Sequence, residues 1–516
     1  MTVLTKSLIF GSTKMAPVGS AFSPPTSLYL VSPCVQRVSK NMHRRQYIVK
    51  FCVSCKLMAE SRGVSTTTER TGFGFKNLTE TFWVDVQRAE GGPLNVALSA
   101  PLSVGPSSTL EEKLENVAVR VELSNGCVGW GEVAVLPLVT GGDQGKALEK
   151  VREACQFLKE SPPMTLNFVL SEIGGILPGA QFASVRAGVE MALIDAVANS
   201  IDVPLWRLFG GVSNSLSTAI TIPAVSLTEA SDLASKYCNL GFKTLKLQLG
   251  KDLDADIEVF QAIQAVHPHC SFILDANERY TSKEAIEVLR KLSDMGIAPV
   301  HLEQPVHRDD WEGLRDINNV ARDVYGVDVI ADESCRSLTD VQRVVKENIA
   351  NVINIKLAKF GVLGTLEIVK FARKSGLNLM IDSMVETRLA TGFAGHLAAG
   401  LGCFKYVNLD MPFLLPEDPV VGGFEVSGAI YKFNNTRGQG DDELLFQAQR
   451  IGATGLWAYC VVFIVMSVTE NEICDNKSEN LCQEIMVQCL QGGSYIFSVS
   501  EGKLLLLLDT LLLCRL

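Results

Sequence analysis

Between residues 218 and 411 the chain repeats one pattern: a short apolar run rich in Ile, Val and Leu, then a segment with apolar residues three and four apart. Continuous apolar strands that alternate with helices indicate a parallel sheet covered on both faces. Eight such strands predict a TIM-like barrel. The eight runs are Thr218–Pro223, Thr244–Leu249, Phe272–Ala276, Pro299–Gln304, Val327–Ala331, Asn351–Leu357, Asn378–Asp382 and Tyr406–Asp410.

The alternative to a barrel is a doubly wound open sheet, but no Gly-rich phosphate loop follows any of the eight runs. Met411–Tyr431 reads as turns and short strands, so the pattern predicts an α/β fold of the (β/α)7β type. An N-terminal α+β domain precedes the barrel, with strand-like alternation before helical spacing. The expected division is a leader and linker at 1–70, the α+β domain at 80–215, the barrel at 216–411, a segment returning to the α+β domain at 412–435, and an atypical tail at 440–516.

The leader has a different charge balance from the rest of the chain. Residues 1–58 contain eight basic residues and no Asp or Glu, whereas the whole chain has 47 basic and 57 acidic residues. A basic, acid-free segment rich in Ser and Thr predicts an organelle transit peptide. We expect a chloroplast location, with the mitochondrion or cytoplasm as alternatives. The formal net charge of the whole chain is −10, which argues against a nucleic-acid partner.

The tail carries a stretch that could reach across a membrane. Ile451–Thr469 has no charged residue, and its length is just enough for a membrane helix. The patterning of 440–516 does not connect it to the barrel, so we favour a mispredicted exon or retained intron without structure of its own. We expect a membrane partner only if 451–469 is a real anchor.

Three carboxylates follow three successive apolar runs. Asp275, Glu303 and Asp332 lie at the carboxyl ends of the third, fourth and fifth predicted strands, where barrel enzymes carry their catalytic residues. Buried like charges repel each other unless a cation neutralises them. Oxygen ligands favour a hard divalent ion, so the sequence predicts a Mg²⁺ site.

Two lysines lie on either side of these acids. Lys246 is on the second predicted strand and Lys356 on the sixth. An amine on each side of a metal-bound carboxylate can remove and return a proton at the adjacent carbon. Asp382 and Glu386 follow the seventh strand and complete the candidate site.

These residues stand in motifs that resemble the enolase superfamily, muconate-lactonizing subgroup, over about residues 80–433. Ser383–Thr387 resembles the dipeptide epimerases, the L-Ala-D/L-Glu epimerase group, within it. Two further strings, Gly129–Glu132 and Pro204–Gly211, resemble the signatures of its N-terminal capping domain. The barrel motifs are Thr244–Gly250, Leu274–Asn277, Glu303–Pro305, Ala331–Ser334 and Asn354–Lys359.

The resemblance implies an isomerase that epimerises dipeptides. One Mg²⁺ ion would be held by Asp275, Glu303 and Asp332 and would bind the terminal carboxylate of the substrate. Lys356 would be one acid/base residue at the α-carbon. The substrate would be a small dipeptide, and the chain could form a homo-oligomer. Residues expected to contact the substrate are Asp382, Glu386, Asn408 and Asp410.

The chain departs from the family at two places. Its second strand has Lys246-Leu247-Gln248, where the family has Lys-x-Lys. An amide cannot take up or release a proton near neutral pH, so we expect impaired epimerisation. The eighth strand has Asn408-Leu409-Asp410, where the resembled epimerases have Asp-x-Asp, so recognition of the substrate ammonium should be weaker.

Two other functions fit the same residues. One is a dehydratase similar to o-succinylbenzoate synthase, and the other is a non-catalytic protein that keeps the metal pocket for binding. In the resembled family, the capping-domain loop that corresponds to Leu102–Thr109 chooses the dipeptide side chains, and here its sequence is not diagnostic.

Overall fold

A computed structural model describes residues 73–98, 113–250 and 252–440, together with the backbone of short strands at 102–103, 109–110, 445–446, 495–500 and 503–508. The predicted transit peptide and the uncharged stretch 451–469 lie outside the described residues. So does most of the loop 102–109. The transit peptide, the chloroplast location and the origin of the tail therefore stay predictions.

The N-terminal part is an α+β domain built on a three-stranded antiparallel sheet of order β2-β5-β6. Helix α5 packs against β6 so closely that only glycine fits at two positions of that strand. A Cβ atom at Gly129 or Gly131 would lie within about 2.2 Å of backbone atoms of α5. The elements are α1 (Phe73–Thr81), β1 (Trp83–Val84), β2 (Val86–Ala97), β3 (Leu102–Ser103), β4 (Thr109–Leu110), β5 (Lys113–Leu123), β6 (Val128–Val133), α2 (Pro137–Thr140), α3 (Gln144–Glu160), β7 (Met164–Thr165), α4 (Leu166–Ile176), α5 (Ala183–Ser200) and α6 (Leu205–Leu208).

Eight parallel strands follow, in the order β9 to β16, and form a nearly closed barrel. A hydrogen bond from Ala219 N, one residue before β9, to Val407 O on β16 is 2.9 Å long and brings the two end strands together. This confirms the predicted (β/α)7β barrel with an N-terminal α+β domain. The elements are β8 (Ser215–Ser217), β9 (Ile220–Ile222), α7 (Leu227–Asn239), β10 (Thr244–Gln248), α8 (Leu253–Val266), β11 (Ser271–Asp275), α9 (Ser282–Asp294), β12 (His301–Glu303), α10 (Trp311–Val320), β13 (Asp328–Ala331), α11 (Leu338–Glu347), β14 (Val352–Ile355), α12 (Leu357–Ser375), β15 (Asn378–Asp382), α13 (Arg388–Leu401) and β16 (Tyr406–Asn408).

After β16 the chain makes only a four-residue helix and short strands before it runs back along the N-terminal domain. Strand β19 pairs with β8, and Leu205 N donates to Gly438 O at 2.9 Å. The exact domain boundaries given above stay predictions. The remaining elements are α14 (Met411–Leu414), β17 (Val420–Val421), β18 (Glu425–Ser427), β19 (Ile430–Lys432), β20 (Leu445–Phe446), β21 (Tyr495–Ser500) and β22 (Lys503–Leu508).

Among the described residues, no single helix has the length and hydropathy to cross a bilayer. One sharply bent pair, Leu166–Ile176 with Ala180–Ser200, meets the criteria by length and composition only.

Candidate active site

The three predicted metal ligands lie at the carboxyl ends of three neighbouring barrel strands. Asp275 ends β11, Glu303 ends β12, and Asp332 directly follows β13. Asp275 and Glu303 are also direct partners in the register of the parallel pair. All three are buried, with exposed fractions of 0 to 3%. The structure therefore places three buried carboxylates side by side, and each needs a cationic or hydrogen-bonding partner.

Lys246 supplies one such partner from the middle of β10. Its Nζ lies 2.9 Å from Asp275 Oδ2, 3.0 Å from Glu303 Oε2 and 3.0 Å from Asp382 Oδ2. Three carboxylates thus converge on one buried ammonium group. Burial alone would lower the pKa of Lys246, but these carboxylates raise it to well above the ordinary lysine value.

Asp332 pairs with two other lysines. Lys356 Nζ lies 2.7 Å from its Oδ2, and Lys359 Nζ lies 2.5 Å from its Oδ1. Burial alone would raise the pKa of Asp332, but the two ammonium groups hold it below the usual range. The pKa of Lys356 is raised in turn, because the charges of Asp332 and Asp382 outweigh the effect of burial.

Asp382 joins the two lysine clusters. Its Oδ2 lies 3.0 Å from Lys246 Nζ and 3.7 Å from Lys356 Nζ. Asn354 donates to the same oxygen at 3.0 Å and to Glu303 Oε1 at 2.6 Å. Asn408, the register partner of Asp382 on β16, donates to Oδ1 at 3.0 Å. One carboxylate therefore links both candidate catalytic lysines to strand β16.

Gln248 is the last residue of β10 and is half-buried. It follows Lys246 by two residues, and the strand period places both side chains on the same face. Its register partner on β11 is Asp275. The second lysine position of the family motif is thus at the site, with an amide in place of an amine.

The other two predicted substrate residues are buried beside this network. Asp410 Oδ2 accepts from Thr221 N at 2.7 Å, and burial, reinforced by the charge of Asp382, raises the pKa of Asp410 to about 6. Burial, reinforced by the charge of Glu132, raises the pKa of Glu386 to about 8. The structure brings both side chains to the carboxyl ends of the strands. Whether they contact a substrate stays a prediction.

The donor set suits Mg²⁺ chemically, because every candidate ligand is a carboxylate oxygen. The convergence of Asp275 and Glu303 on the Lys246 ammonium shows that these oxygens can surround a cation. In the structure, however, each of the three carboxylates forms an ion pair with a lysine ammonium group. Among the described residues, no three Asp, Glu, His or Cys side chains are placed so that together they could hold a metal ion. Binding of one Mg²⁺ ion by Asp275, Glu303 and Asp332 together stays a prediction.

Two side chains of this network were not assigned a role from the sequence. Asn354 precedes Lys356 by two residues, so the strand period could have placed it on the same interior face. Lys359 follows Lys356 by three residues; it lies in the first turn of α12, for which Lys356 is the N-cap. Both signals are present in the string Asn354–Lys359.

Two family models match most of the folded region. The description "Mandelate racemase / muconate lactonizing enzyme, N-terminal domain" matches residues 93–210, and "Enolase C-terminal domain-like" matches residues 229–442. A relative from Populus trichocarpa, named L-Ala-D/L-amino acid epimerase, is 62% identical over 390 residues. That alignment covers 76% of this chain and 91% of the relative.

Solved structures agree with this assignment. A substrate-liganded L-Ala-D/L-Glu epimerase from Bacillus subtilis is 32% identical with a TM-score of 0.65, and the match covers 69% of this chain and 98% of that one. A dipeptide epimerase from Enterococcus faecalis, complexed with Mg and L-Leu-L-Tyr, is 28% identical with a TM-score of 0.63, covering 69% and 99%. The prediction of an isomerase is confirmed by these relatives. The chain belongs to the mandelate racemase / muconate lactonizing enzyme family of the enolase superfamily.

Proposed function

We propose that this chain is a Mg²⁺-dependent dipeptide epimerase of the L-Ala-D/L-Glu type, with turnover limited by Gln248. Its reaction is the removal and return of the α-proton next to the terminal carboxylate of the dipeptide. The observation that carries the proposal is the position of Lys356, whose partly buried amine lies 2.7 Å from Asp332 within a ring of carboxylates on successive strands. The 62% identical epimerase supports the same activity.

In this proposal each basic side chain has one task. Lys356 takes the α-proton from one face of the substrate, and Lys246 holds its positive charge among Asp275, Glu303 and Asp382. Asn354 and Asn408 orient Asp382, which contacts both lysines. Gln248 lies on the strand where the family has its second base and can donate or accept hydrogen bonds but cannot carry the proton.

One Mg²⁺ ion would be held by Asp275, Glu303 and Asp332, and it would supply positive charge to the carboxylate next to the reacting carbon. Lys246, Lys356 and Lys359 contact the same carboxylates, so their ammonium groups would share these oxygens with a bound ion. We therefore expect bound Mg²⁺ to weaken the ion pairs between these lysines and the carboxylates. Mg in the related Enterococcus faecalis structure supports this choice of ion.

Gln248 favours a second candidate function, a protein that keeps the pocket but does not invert its ligand. Two-sided proton transfer needs a group on each face of the α-carbon, and general acid–base catalysis contributes about 10²–10⁴-fold to a rate. A chain with Lys356 alone can exchange the proton of one stereoisomer without completing inversion. A pure binding protein exchanges neither.

The test is α-proton exchange in D₂O with Mg²⁺ and the full chain. L-Ala-L-Glu and L-Ala-D-Glu are compared with L-Ala-L-Leu and L-Ala-D-Leu, and deuterium uptake is followed by mass spectrometry. We expect uptake into one stereoisomer of a pair with little inversion. The Lys356→Met variant, which keeps the bulk of the side chain without the amine, should lose this uptake.

Two results would overturn the proposal. Uptake that is unchanged in Lys356→Met would show that another group is the base. Absence of uptake from every dipeptide, in the natural chain and in Gln248→Lys alike, would leave the binding function as the better account.

A further inference from the structure

The segment Ser383–Thr387 connects β15 to α13. It carries Glu386 at the carboxyl ends of the barrel strands, where the candidate site lies. Asp382, which contacts both lysines, immediately precedes it. Within the barrel, Ser383 N donates to Asn408 O at 3.2 Å. Further along, the segment makes buried hydrogen bonds with two side chains of the N-terminal domain: Asn116 on β5 donates to Val385 O, and Glu132 on β6 accepts from Thr387 N.

Glu132 receives four donors with its two oxygens. Thr387 N donates at 3.0 and 3.1 Å to Oε1 and Oε2, the Thr387 hydroxyl donates to Oε2 at 2.7 Å, and Ala390 N donates to Oε2 at 3.1 Å. Asn116 Nδ2 is the fourth donor, at 2.8 Å from Oε1. A carboxylate with 1% exposure is stable only with such partners. Glu132 therefore caps the start of α13 from another domain.

Asn116 holds the middle of the segment in the same way. Its Oδ1 accepts from Val135 N at 2.9 Å, and its Nδ2 donates to Val385 O at 2.7 Å as well as to Glu132. Since Val135 N can only donate, the amide orientation of Asn116 is fixed by the backbone of the N-terminal domain. Movement of the segment would break contacts of two fully buried polar groups together.

We propose that Asn116 and Glu132 form a latch through which the N-terminal domain positions Ser383–Thr387, and with it Asp382 and Glu386, for the reaction. Both are positioning residues, because they act through the segment rather than on substrate. The catalytic part of this inference rests on the proposed epimerase function. The latch itself rests on the hydrogen bonds alone.

Asp195 is a matched control for Glu132. It is a buried carboxylate of the same domain that accepts backbone amides from Trp130 at 3.0 Å and Gln439 at 2.9 Å, away from the segment. Replacement of either acid by its amide should lower stability. Only Glu132→Gln should release the segment, because the new amide hydrogens face backbone donors.

The experiment is hydrogen–deuterium exchange of the full-length variants, read by mass spectrometry over residues 383–390. In Glu132→Gln we expect amide exchange there to rise by about tenfold or more, as for loss of a hydrogen bond to a charged group. In Asp195→Asn it should change by less than about twofold. If Glu132→Gln does not fold, Thr387→Val removes the hydroxyl bond alone and should give a smaller rise at the same residues.

Dipeptide α-proton exchange is measured on the same variants, in the natural chain and in the Gln248→Lys background. We expect kcat/KM to fall by about tenfold in Glu132→Gln and to stay within about threefold in Asp195→Asn. Equal labelling of 383–390 in the two variants overturns the latch, and raised labelling with unchanged kcat/KM overturns the positioning role. If no background exchanges any dipeptide, the proposed function fails, and labelling alone decides whether the latch holds the segment.

Discussion

Gln248 lies directly opposite Asp275 in the parallel register of β10 and β11. The position reserved for a second base is therefore paired with an acid assigned to the metal, and an amide occupies it. The register also means that a longer cationic side chain at 248 would start beside a carboxylate able to neutralise it.

Restoring the amine at this position should restore two-sided proton transfer. We expect Gln248→Lys to raise the rate of dipeptide inversion by about 10²–10⁴-fold, the usual contribution of a general acid or base. Chiral chromatography of both stereoisomers measures this rate. Gln248→Met is the control of similar size without an amine. Rapid inversion by the natural chain would show that another group serves the second face.

Asp382 should matter for both lysines, because it is the carboxylate that contacts each of them. Asp382→Asn should lower α-proton exchange by about tenfold or more, since a hydrogen bond to a charged group is lost. The double variant Asp382→Asn with Asn408→Asp moves the carboxylate across the register pair. Partial recovery in the double variant is expected, and activity equal to the natural chain in the single variant would contradict this role.

Removal of Mg²⁺ should stop exchange, and its return should restore it. Asp275→Asn is expected to weaken Mg²⁺ binding by more than about tenfold, measured by titration calorimetry, because a charged oxygen ligand is lost. Asp328→Asn is the control: this aspartate begins β13 at the opposite end of the barrel and pairs with Lys405 at 2.8 Å. Equal Mg²⁺ affinity in the two variants would exclude Asp275 as a ligand.

Stability should fall as the pH rises from about 4 to about 7, and level off above that. Burial raises the pKa of Asp195 to about 7, despite amide donors from Trp130 and Gln439. A raised carboxyl pKa contributes its full stabilisation below the unfolded value of about 3.9, and this contribution is lost progressively as the pH rises from there to about 7. Urea unfolding between about pH 5 and pH 8 should show the slope, and Asp195→Asn should reduce it.

Glu190 contributes to the same slope, since burial raises its pKa to about 7. Asp328→Asn, at the first residue of β13, should leave the dependence of the unfolding free energy on pH unchanged. An identical slope in Asp195→Asn and the natural chain would show that Asp195 is ionised throughout this range.

The barrel and most of its site could be predicted from local pattern. Apolar runs mark the strands, and the residue that ends each run faces the same edge of the sheet, which is why Asp275, Glu303 and Asp382 are found together. The predicted runs and the strands differ by a few residues at their ends. The run Phe272–Ala276 is shifted by one residue from β11, Ser271–Asp275, because Ala276 is apolar and buried whereas Ser271 is polar and exposed.

The contacts of Asn116 and Glu132 could not be predicted in this way. Asn116 and Val385 are 269 residues apart, and Glu132 and Thr387 are 255 apart. Which side chains meet over such separations depends on how the N-terminal sheet packs on the barrel, and the period of a strand or helix carries no information about that. In the sequence alone, Gly129–Glu132 is only a string that resembles a signature of the capping domain.

The four donors gathered on Glu132 have a consequence for recombination between relatives. An N-terminal domain transplanted onto another family member's barrel would bring this acid with it, but the hydroxyl at position 387 would stay behind with the old barrel. Unless the recipient barrel offers an equivalent hydroxyl and the amides of a helix start, the graft leaves an ion without enough partners at the seam. Exchange of these two modules is therefore constrained by chemistry as well as by shape.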